Sequence, residues 1–415
     1  MDITLQANGI GGRIDIISSK SRLHRLMICA ALAKGKTTIR NAIFSKDTQA
    51  TAGCLDGYVA QIRREGTDLE ICPLPEACAG RVLDCGESGS TFRMLLPVAA
   101  VLGKDVTFTG SDYLAKRPIS PLYEVLCEGG AALSQPGQFP LTCQGRLRPG
   151  EYSIAGNVSS QFISGLLFAL PMAGGESLLR VTGKVESRPY IDMTLDALWQ
   201  FGAEIEEVEP NLFRIGSKGL TSPGEIRAEG DWSNGAFWLC AGAVGKGKTV
   251  LCGNLDPASR QGDRKIVEIL RAFGAEIGMD DQGCWVKPSA LHGIEIDAAD
   301  IPDLVPVLAV TAAAAAGTTR IIHAERLRLK ESDRIESTCA LINALGGSAR
   351  PTEDGMIIAG GGLRGGQIDS YNDHRIAMSA AVAAVACGKP VTIQNASAAD
   401  KSYPDFFPLF QSHCV

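Results

Sequence analysis

Several cations stand where an isolated helix would not want them. Lys20, Ser21 and Arg25 open an apolar stretch that continues to Leu32, and Arg93 follows Gly89-Ser90 at the head of a second. Ser159-Ser160-Gln161 open a third, and His374-Arg375 open another. The first four N–H groups of a helix lack intrahelical partners, and the helix dipole is positive there. Ser, Asp and Asn at such places are ordinary caps. Lys and Arg are different, because a cation there opposes the dipole unless an anion is bound. Repeated placement of this kind points to phosphate or carboxylate sites. Lys330-Glu331-Ser332-Asp333-Arg334 alternates charges just before an apolar helix, which suits a solvated first turn as well as a site. Lys116-Arg117-Pro118, read alone, suits an exposed basic turn.

The elements that must position these residues recur. A polar patch, an apolar helical stretch, a Gly-containing turn and a β-branched strand appear six times. They start near Ser19, Glu87, Ser159, Asp231, Pro302 and Asn372, about 70 residues apart. Between them lies a second helix type that ends in Gly. In Asp263–Gly274 the residues Ile266, Val267, Ile269, Leu270 and Phe273 form one apolar stripe opposite the charges. A helix apolar all round, such as Ile376–Ala383, must be surrounded by protein, whereas a striped one lies on a sheet with one face in water. Each repeat is therefore an α/β unit with a buried and an outer helix, and six divide naturally into three plus three.

The totals set limits on class. A chain of 415 residues exceeds one compact core, and 45% hydrophobic with 21% charged residues is globular. The longest apolar run, Leu304–Gly317, is shorter than the roughly 18 residues of a membrane span, so no membrane partner is expected. The first residues carry no signal-peptide pattern, and a cytoplasmic location is expected. A net charge of −6 argues against nucleic acid, so an anionic ligand must be held by a local basic cluster. None of the thirteen cysteines lies in C-x-x-C spacing, and His24, His292, His323, His374 and His413 stand apart from them. Reduced core thiols, not zinc, are expected.

Gly242-Ala243-Val244-Gly245-Lys246-Gly247-Lys248-Thr249 matches the P-loop pattern. A working P-loop follows a strand and opens a helix. This stretch follows a helix and enters the strand at Thr249-Val250-Leu251, as Lys34-Gly35-Lys36-Thr37 does in the first repeat. It is a repeat junction and no nucleotide site is expected there.

Ser19-Lys20-Ser21 with Arg25, Gly89-Ser90 with Arg93, Arg117-Pro118, Ser159-Ser160-Gln161 and Ser187-Arg188-Pro189-Tyr190 occur in that order. They are followed by Pro302-Asp303, Lys330–Arg334, Asn372-Asp373-His374-Arg375 and Lys401 before Tyr403-Pro404-Asp405. In this order the chain resembles the EPSP synthase family over nearly its whole length. The resemblance implies a two-domain inside-out α/β barrel of six βαββαβ-type repeats, three per domain. One domain would comprise residues 1–18 and 229–415, the other 19–228, with the active site in the cleft between. It implies that Lys20, Ser21, Arg25, Ser159, Ser160, Gln161, Ser187, Asp303 and Lys330 hold shikimate 3-phosphate. Phosphoenolpyruvate would be held by Lys20, Gly89, Arg117, Gln161, Arg334, Arg375 and Lys401. Glu87 and Arg326 stand where many members carry Asn, so both are left out of these sets.

The implied chemistry needs an acid/base pair, for which carboxylates with tuned pKa values serve. Asp303 is the expected base at the ring hydroxyl and Glu331 the acid at the methylene carbon, with Lys20 assisting the leaving phosphate. Both substrates carry a phosphate and a carboxylate, so Arg and Lys must neutralise several close negative charges. No metal or organic cofactor is expected, and a monomer is. Two other readings remain open on the residues alone. One is the sister enzyme acting on UDP-N-acetylglucosamine, which usually carries a reactive Cys where Ala115-Lys116-Arg117 stands and lacks the Lys-Glu-x-Asp-Arg run. The other is a non-catalytic α/β repeat scaffold, which explains six units but not cations set against helix dipoles.

Overall fold

The computed structural model describes all 415 residues as a mixed α/β protein. The chain divides into two compact units, Met1–Ser19 with Glu229–Val415, and Lys20–Ala228. Each has its own hydrophobic core.

In the Lys20–Ala228 unit three sheets repeat one topology. Arg81–Asp84 runs parallel to Val106–Thr109, which pairs antiparallel with Leu141–Gly145, and Ala131–Leu133 closes the edge. Glu151–Ala155, Ser177–Thr182, Leu212–Ile215 and Ile205–Glu209 follow the same order. So do Glu225–Arg227, Thr37–Arg40, Asp68–Pro73 and Ala60–Glu65. The other unit has two such sheets and a third in which the N-terminal strand Ile3–Leu5 pairs antiparallel with Val391–Gln394.

This topology corrects the expected repeat order. The sequence of elements is βαβαββ, not βαββαβ, as in Arg81–Asp84, Gly89–Leu102, Val106–Thr109, Leu122–Glu128, Ala131–Leu133 and Leu141–Gly145. A parallel pair needs a helical crossover, whereas an antiparallel pair closes through a short turn. The buried helix therefore joins the two parallel strands, and the last two strands form a hairpin with no helix between them.

The apolar stretches form helices without a solvent face. Val305–Ala314 is buried at every position but the last, and His374–Cys387 at all but the last two. These two pack against each other and against Trp232–Val244. The striped segment starts differently from the expected continuous helix. Gly262–Lys265 is a 3-10 turn, and only Ile266–Ala272 is α-helical. Trp232–Val244 takes in the first three P-loop-like residues and stops at Gly245, and the following strand is Val250–Gly253, so this stretch closes a helix and does not open one. All thirteen cysteines are free thiols. No helix is long and apolar enough to cross a membrane.

The unit division places two chain crossings side by side. Ser19 donates its N–H to the Glu229 carbonyl at 2.7 Å, and Ser18 bridges Gly230. The strand Gly12–Asp15 then pairs in parallel with Val250–Gly253, although more than half the chain lies between them in sequence.

Candidate active site

Within the Lys20–Ala228 unit, three helix starts carry the polar residues. Lys20 is the first residue of Lys20–Leu32, and its Nζ lies 3.1 Å from Asp47 Oδ2. Asp47 sits in the first turn of Lys46–Leu55, where Ser45 and Thr48 form a capping box. Asp47 was not assigned from sequence, although that box marks its helix start. Arg25 is turned inward, with Nε donating to Thr194 Oγ1 at 2.7 Å, Nη1 to the Ser21 carbonyl at 2.7 Å and Nη2 to the Tyr190 carbonyl at 2.9 Å. Burial pushes this guanidinium down to about 9. Most of its donors are thus spent on the protein, which suits a strut beneath Ser21 and Tyr190.

Ser88 caps Gly89–Leu102, and Ser159 caps Ser160–Ala169. Close approach of these two helices depends on Gly165. Pro97 has no N–H to give the Arg93 carbonyl, and a Cβ on Gly165 would lie 2.6 Å from that oxygen. Gly165 is four residues after Gln161, on the same face. The contact brings Gln161 Nε2 to Ser90 Oγ at 2.8 Å and Gln161 Oε1 to Arg93 Nη1 at 3.0 Å. Arg93 Nη2 donates to the Pro118 carbonyl at 2.7 Å, so one guanidinium ties the glycine loop, Gln161 and the Arg117 loop together. Burial first, then the positive Arg117, push Arg93 down to about 9. Two cations held this close favour an anion beside them. Arg117 Nε is buried without a hydrogen-bond partner. Ser187 precedes Arg188–Gln200 in the left-handed region at φ 55°, a conformation costly for Ser, and is 2% exposed.

A buried chain of hydroxyls supports the glycine loop. His24 Nδ1 lies 2.7 Å from Thr51 Oγ1, which is 2.6 Å from Thr91 Oγ1, which donates to Ser88 Oγ at 2.7 Å. Burial, then Lys20 and Arg25, hold His24 well below its ordinary value. The unfolded chain takes up this proton near pH 6.5, whereas the folded chain does not. His24 therefore contributes stability above that pH, and the contribution is lost as pH falls. Wild type is expected to lose about 1.4 kcal/mol per pH unit more than His24→Gln below about pH 6.5. Parallel stabilities of the two proteins between pH 7.5 and 5, measured by urea unfolding, would overturn this.

In the other unit the charged run does not open a buried helix. Arg334–Ala344 belongs to the outer series, preceded by the 3-10 turn Glu325–Leu329. Arg334 nevertheless points inward and is 2% exposed. Its Nε donates to Asp373 Oδ2 at 2.8 Å and Nη1 to Asp303 Oδ1 at 2.7 Å, with Glu331 Oε1 3.9 Å away. Burial pulls against this charge, but Asp373, Asp303 and Glu331 outweigh it and hold the guanidinium above its ordinary value. Arg375 Nη2 donates to Asp303 Oδ2 at 3.2 Å, while its Nε and Nη1 are buried without partners. His374 Nδ1 lies 2.7 Å from Glu331 Oε2.

Asp373, fully buried, was also unassigned from sequence beyond its place in the motif. It caps His374–Cys387 through the Arg375 N–H and accepts from Ser332 Oγ as well as Arg334. The two residues before it, Tyr371 and Asn372, are both left-handed, at φ 54° and 53°. Lys401 Nζ donates to the Asn372 carbonyl at 2.7 Å, which braces that strained turn. Lys330 is half-buried at the end of the 3-10 turn. Arg326 is buried and donates to the Ala299 carbonyl, and Glu87 is exposed. Glu331, Asp373 and His374 bring ligand atoms within 4.8 Å of one another. Arg334 already occupies Asp373 and would repel a cation there.

The chain matches the family model for EPSP synthase (3-phosphoshikimate 1-carboxyvinyltransferase) over residues 6–410. The chain belongs to the EPSP synthase family. It is 40% identical to a 3-phosphoshikimate 1-carboxyvinyltransferase of Clostridium novyi, covering 99% of this chain and 97% of that one. It is 41% identical to the enzyme of that name from Clostridium acetobutylicum, over 95% and 93% of the two chains. Among solved structures, an EPSP synthase of Acinetobacter baumannii superposes with a TM-score of 0.85 at 26% identity, over 100% of this chain and 98% of that one. Full-length relatives at about 40% identity carry the name 3-phosphoshikimate 1-carboxyvinyltransferase, which favours the EPSP synthase reading over both the UDP-N-acetylglucosamine enzyme and the non-catalytic scaffold.

Proposed function

We propose that this chain transfers the enolpyruvyl group of phosphoenolpyruvate to the 5-hydroxyl of shikimate 3-phosphate and releases phosphate. The observation that carries this is Arg375: a guanidinium only 2% exposed whose Nε and Nη1 meet no protein acceptor. Leaving such donors unsatisfied costs about 1–3 kcal/mol each, and an anion relieves that cost. The proposed fold is the family's inside-out α/β barrel, three repeats per unit.

In the proposed scheme Asp303 takes the proton of the 5-hydroxyl as its oxygen attacks C2 of the enol. Glu331 gives a proton to C3, which completes a tetrahedral phosphate ketal. In the elimination C3 returns a proton to Glu331, the C2–O bond to phosphate breaks, and the proton held by Asp303 passes to the departing phosphate, whose oxygen Lys20 assists. Asp303 and Glu331 are both oriented by Arg334, so the acid and the base share one rigid support. His374 holds the second Glu331 oxygen. Ser159, Ser160, Gln161, Ser21, Ser187 and Lys330 are proposed to hold the phosphorylated ring. Gly89, Arg117, Arg334, Arg375 and Lys401 are proposed to hold the enol phosphate. Preorganised donors of this kind stabilise developing charge without rearrangement.

The test is phosphate release, which should require both substrates together and vanish when either is omitted. Arg375→Lys keeps the charge but loses the planar fork, and should raise KM for phosphoenolpyruvate about tenfold with a smaller change in turnover. No phosphate release from the pair would overturn the proposed activity. An unchanged KM in the variant would overturn the role of Arg375.

A further inference from the structure

One buried acid beside this cluster has no part in the scheme above. Asp263 is 2% exposed and lies in the 3-10 turn Gly262–Lys265. Its Oδ2 accepts from the Ser233 hydroxyl, and its Oδ1 is buried without a hydrogen-bond partner. Ser233 belongs to the first turn of Trp232–Val244, capped by Asp231. Gln261 locks the Asp263 turn onto that helix start, accepting from the Trp232 N–H at 3.0 Å and donating to the Gly230 carbonyl at 2.9 Å.

The groups facing Asp263 from neighbouring elements are Asp303, Arg375 and Asp231. On its own turn, Arg264 is tied to the Pro257 carbonyl, and Lys265 pairs with Asp300 at 3.2 Å. A buried carboxylate with one oxygen lacking a donor is costly, so the neutral acid is favoured. Burial first, then the negative charge of Asp303, push Asp263 up to about 7, against the Ser233 hydrogen bond and Arg375.

We propose that Asp263 is a positioning residue for the enolpyruvyl transfer, whose loss of a proton adds charge behind the Asp303–Arg375 pair and loosens the hold of Arg375 on the anionic donor. The inference rests on the activity proposed above. While Asp263 is neutral, Arg375 faces one fewer negative charge and offers more of its field to the donor. Once Asp263 ionises, it competes for that field, and an anion at Arg375 is held less tightly.

The experiment follows kcat/KM for phosphoenolpyruvate from pH 6 to 8.5 at saturating shikimate 3-phosphate. Substrate ionisation is common to both proteins, so the quantity read is the ratio of wild type to Asp263→Asn. That ratio should fall about tenfold around a midpoint near 7, the size expected for one added buried charge beside an anion site. Ser233→Ala removes a hydrogen bond that favours the ionised form and should move the midpoint upward.

Thermal melts of the ligand-free proteins give an independent arm. The folded acid is raised above its unfolded value of about 4. Its stabilising contribution is therefore full below that pH and is lost as pH rises to about 7. Wild type should show this decline relative to Asp263→Asn. If the melts differ in this way but the activity profiles run parallel, Asp263 titrates without positioning anything, and the inference is overturned. Melts that do not differ overturn it as well. If wild type releases no phosphate from the two substrates, the proposed activity fails, and the positioning role fails with it whatever the melts show.

Discussion

Turnover of Glu331→Gln should fall about a hundredfold or more, the usual scale for a positioned acid or base, with substrate affinity changing far less. The substitution keeps the side-chain shape, and its amide can still meet His374 Nδ1, which lies 2.7 Å from the present carboxylate. What it cannot do is give or take a proton at C3. Asp303→Ala should lower turnover by at least as much, by removing the base. It also deprives Arg334 and Arg375 of a shared carboxylate at 2.7 and 3.2 Å. Arg334 retains Asp373, but Arg375 is left as a buried cation, and breaking a buried pair in this way costs about 3–5 kcal/mol. Asp303→Asn is therefore the companion variant, because it keeps the volume and part of the hydrogen bonding. Single-turnover measurements at saturating substrates separate chemistry from binding. Near-normal turnover in Glu331→Gln would remove it from the mechanism, and near-normal turnover in Asp303→Asn would do the same for the base.

Gly89→Ala should weaken inhibition by glyphosate about tenfold to a hundredfold, on roughly 1.4 kcal/mol per decade. Glyphosate is expected to occupy the phosphoenolpyruvate site and to be somewhat longer than that substrate, so a methyl group in the glycine loop should collide with it. A Cβ on Gly89 would also lie 2.6 Å from Arg117 Nη1 and 3.1 Å from its Cζ. Something must shift, and the guanidinium is the flexible partner. Overpacking of this kind costs about 1–3 kcal/mol. The variant should therefore raise KM for phosphoenolpyruvate as well, but less than it raises the inhibition constant. Exposed Glu87 adds a negative charge near this loop, which works against any anionic inhibitor. Inhibition constants measured against phosphoenolpyruvate in both proteins decide the matter. Equal constants, or a wild type indifferent to glyphosate, would sink the idea. A parallel rise in both values would assign the whole effect to Arg117.

Local rules explain where the sequence spoke clearly. Beyond any polar first turn, the stretches now seen as Lys20–Leu32, Gly89–Leu102, Val305–Ala314 and His374–Cys387 are almost wholly apolar, and such a helix is stable only inside protein. The junction at Gly245–Thr249 could be refused as a P-loop because helix and strand order is itself a local property. Within each repeat the sequence was less informative. The expected βαββαβ order gave way to βαβαββ, since strand-sized runs look alike whether they pair in parallel or antiparallel, and only pairing shows which connection needs a helix. The segment beginning at Asp263 reads as one α-helix because an apolar stripe follows directly on its charged first turn. Its 3-10 geometry comes from Gln261 anchoring the turn to Trp232 and Gly230.

The amino-acid sequence by itself determined the six-fold recurrence, the buried and outer helix types and the family, because these rest on periodicity and on ordered motifs. Tertiary structure alone decided what each charge faces. Arg25 and Arg334 look alike in sequence as cations near helix starts. One is spent on carbonyls and hydroxyls of its own unit, and the other is clamped between Asp373 and Asp303. Asp263 carries no distinguishing local pattern, yet burial and Asp303, distant in sequence, give it its charge environment. Coulomb energy depends on separation in space and on the exclusion of water, and neither is written in the spacing of residues along a chain.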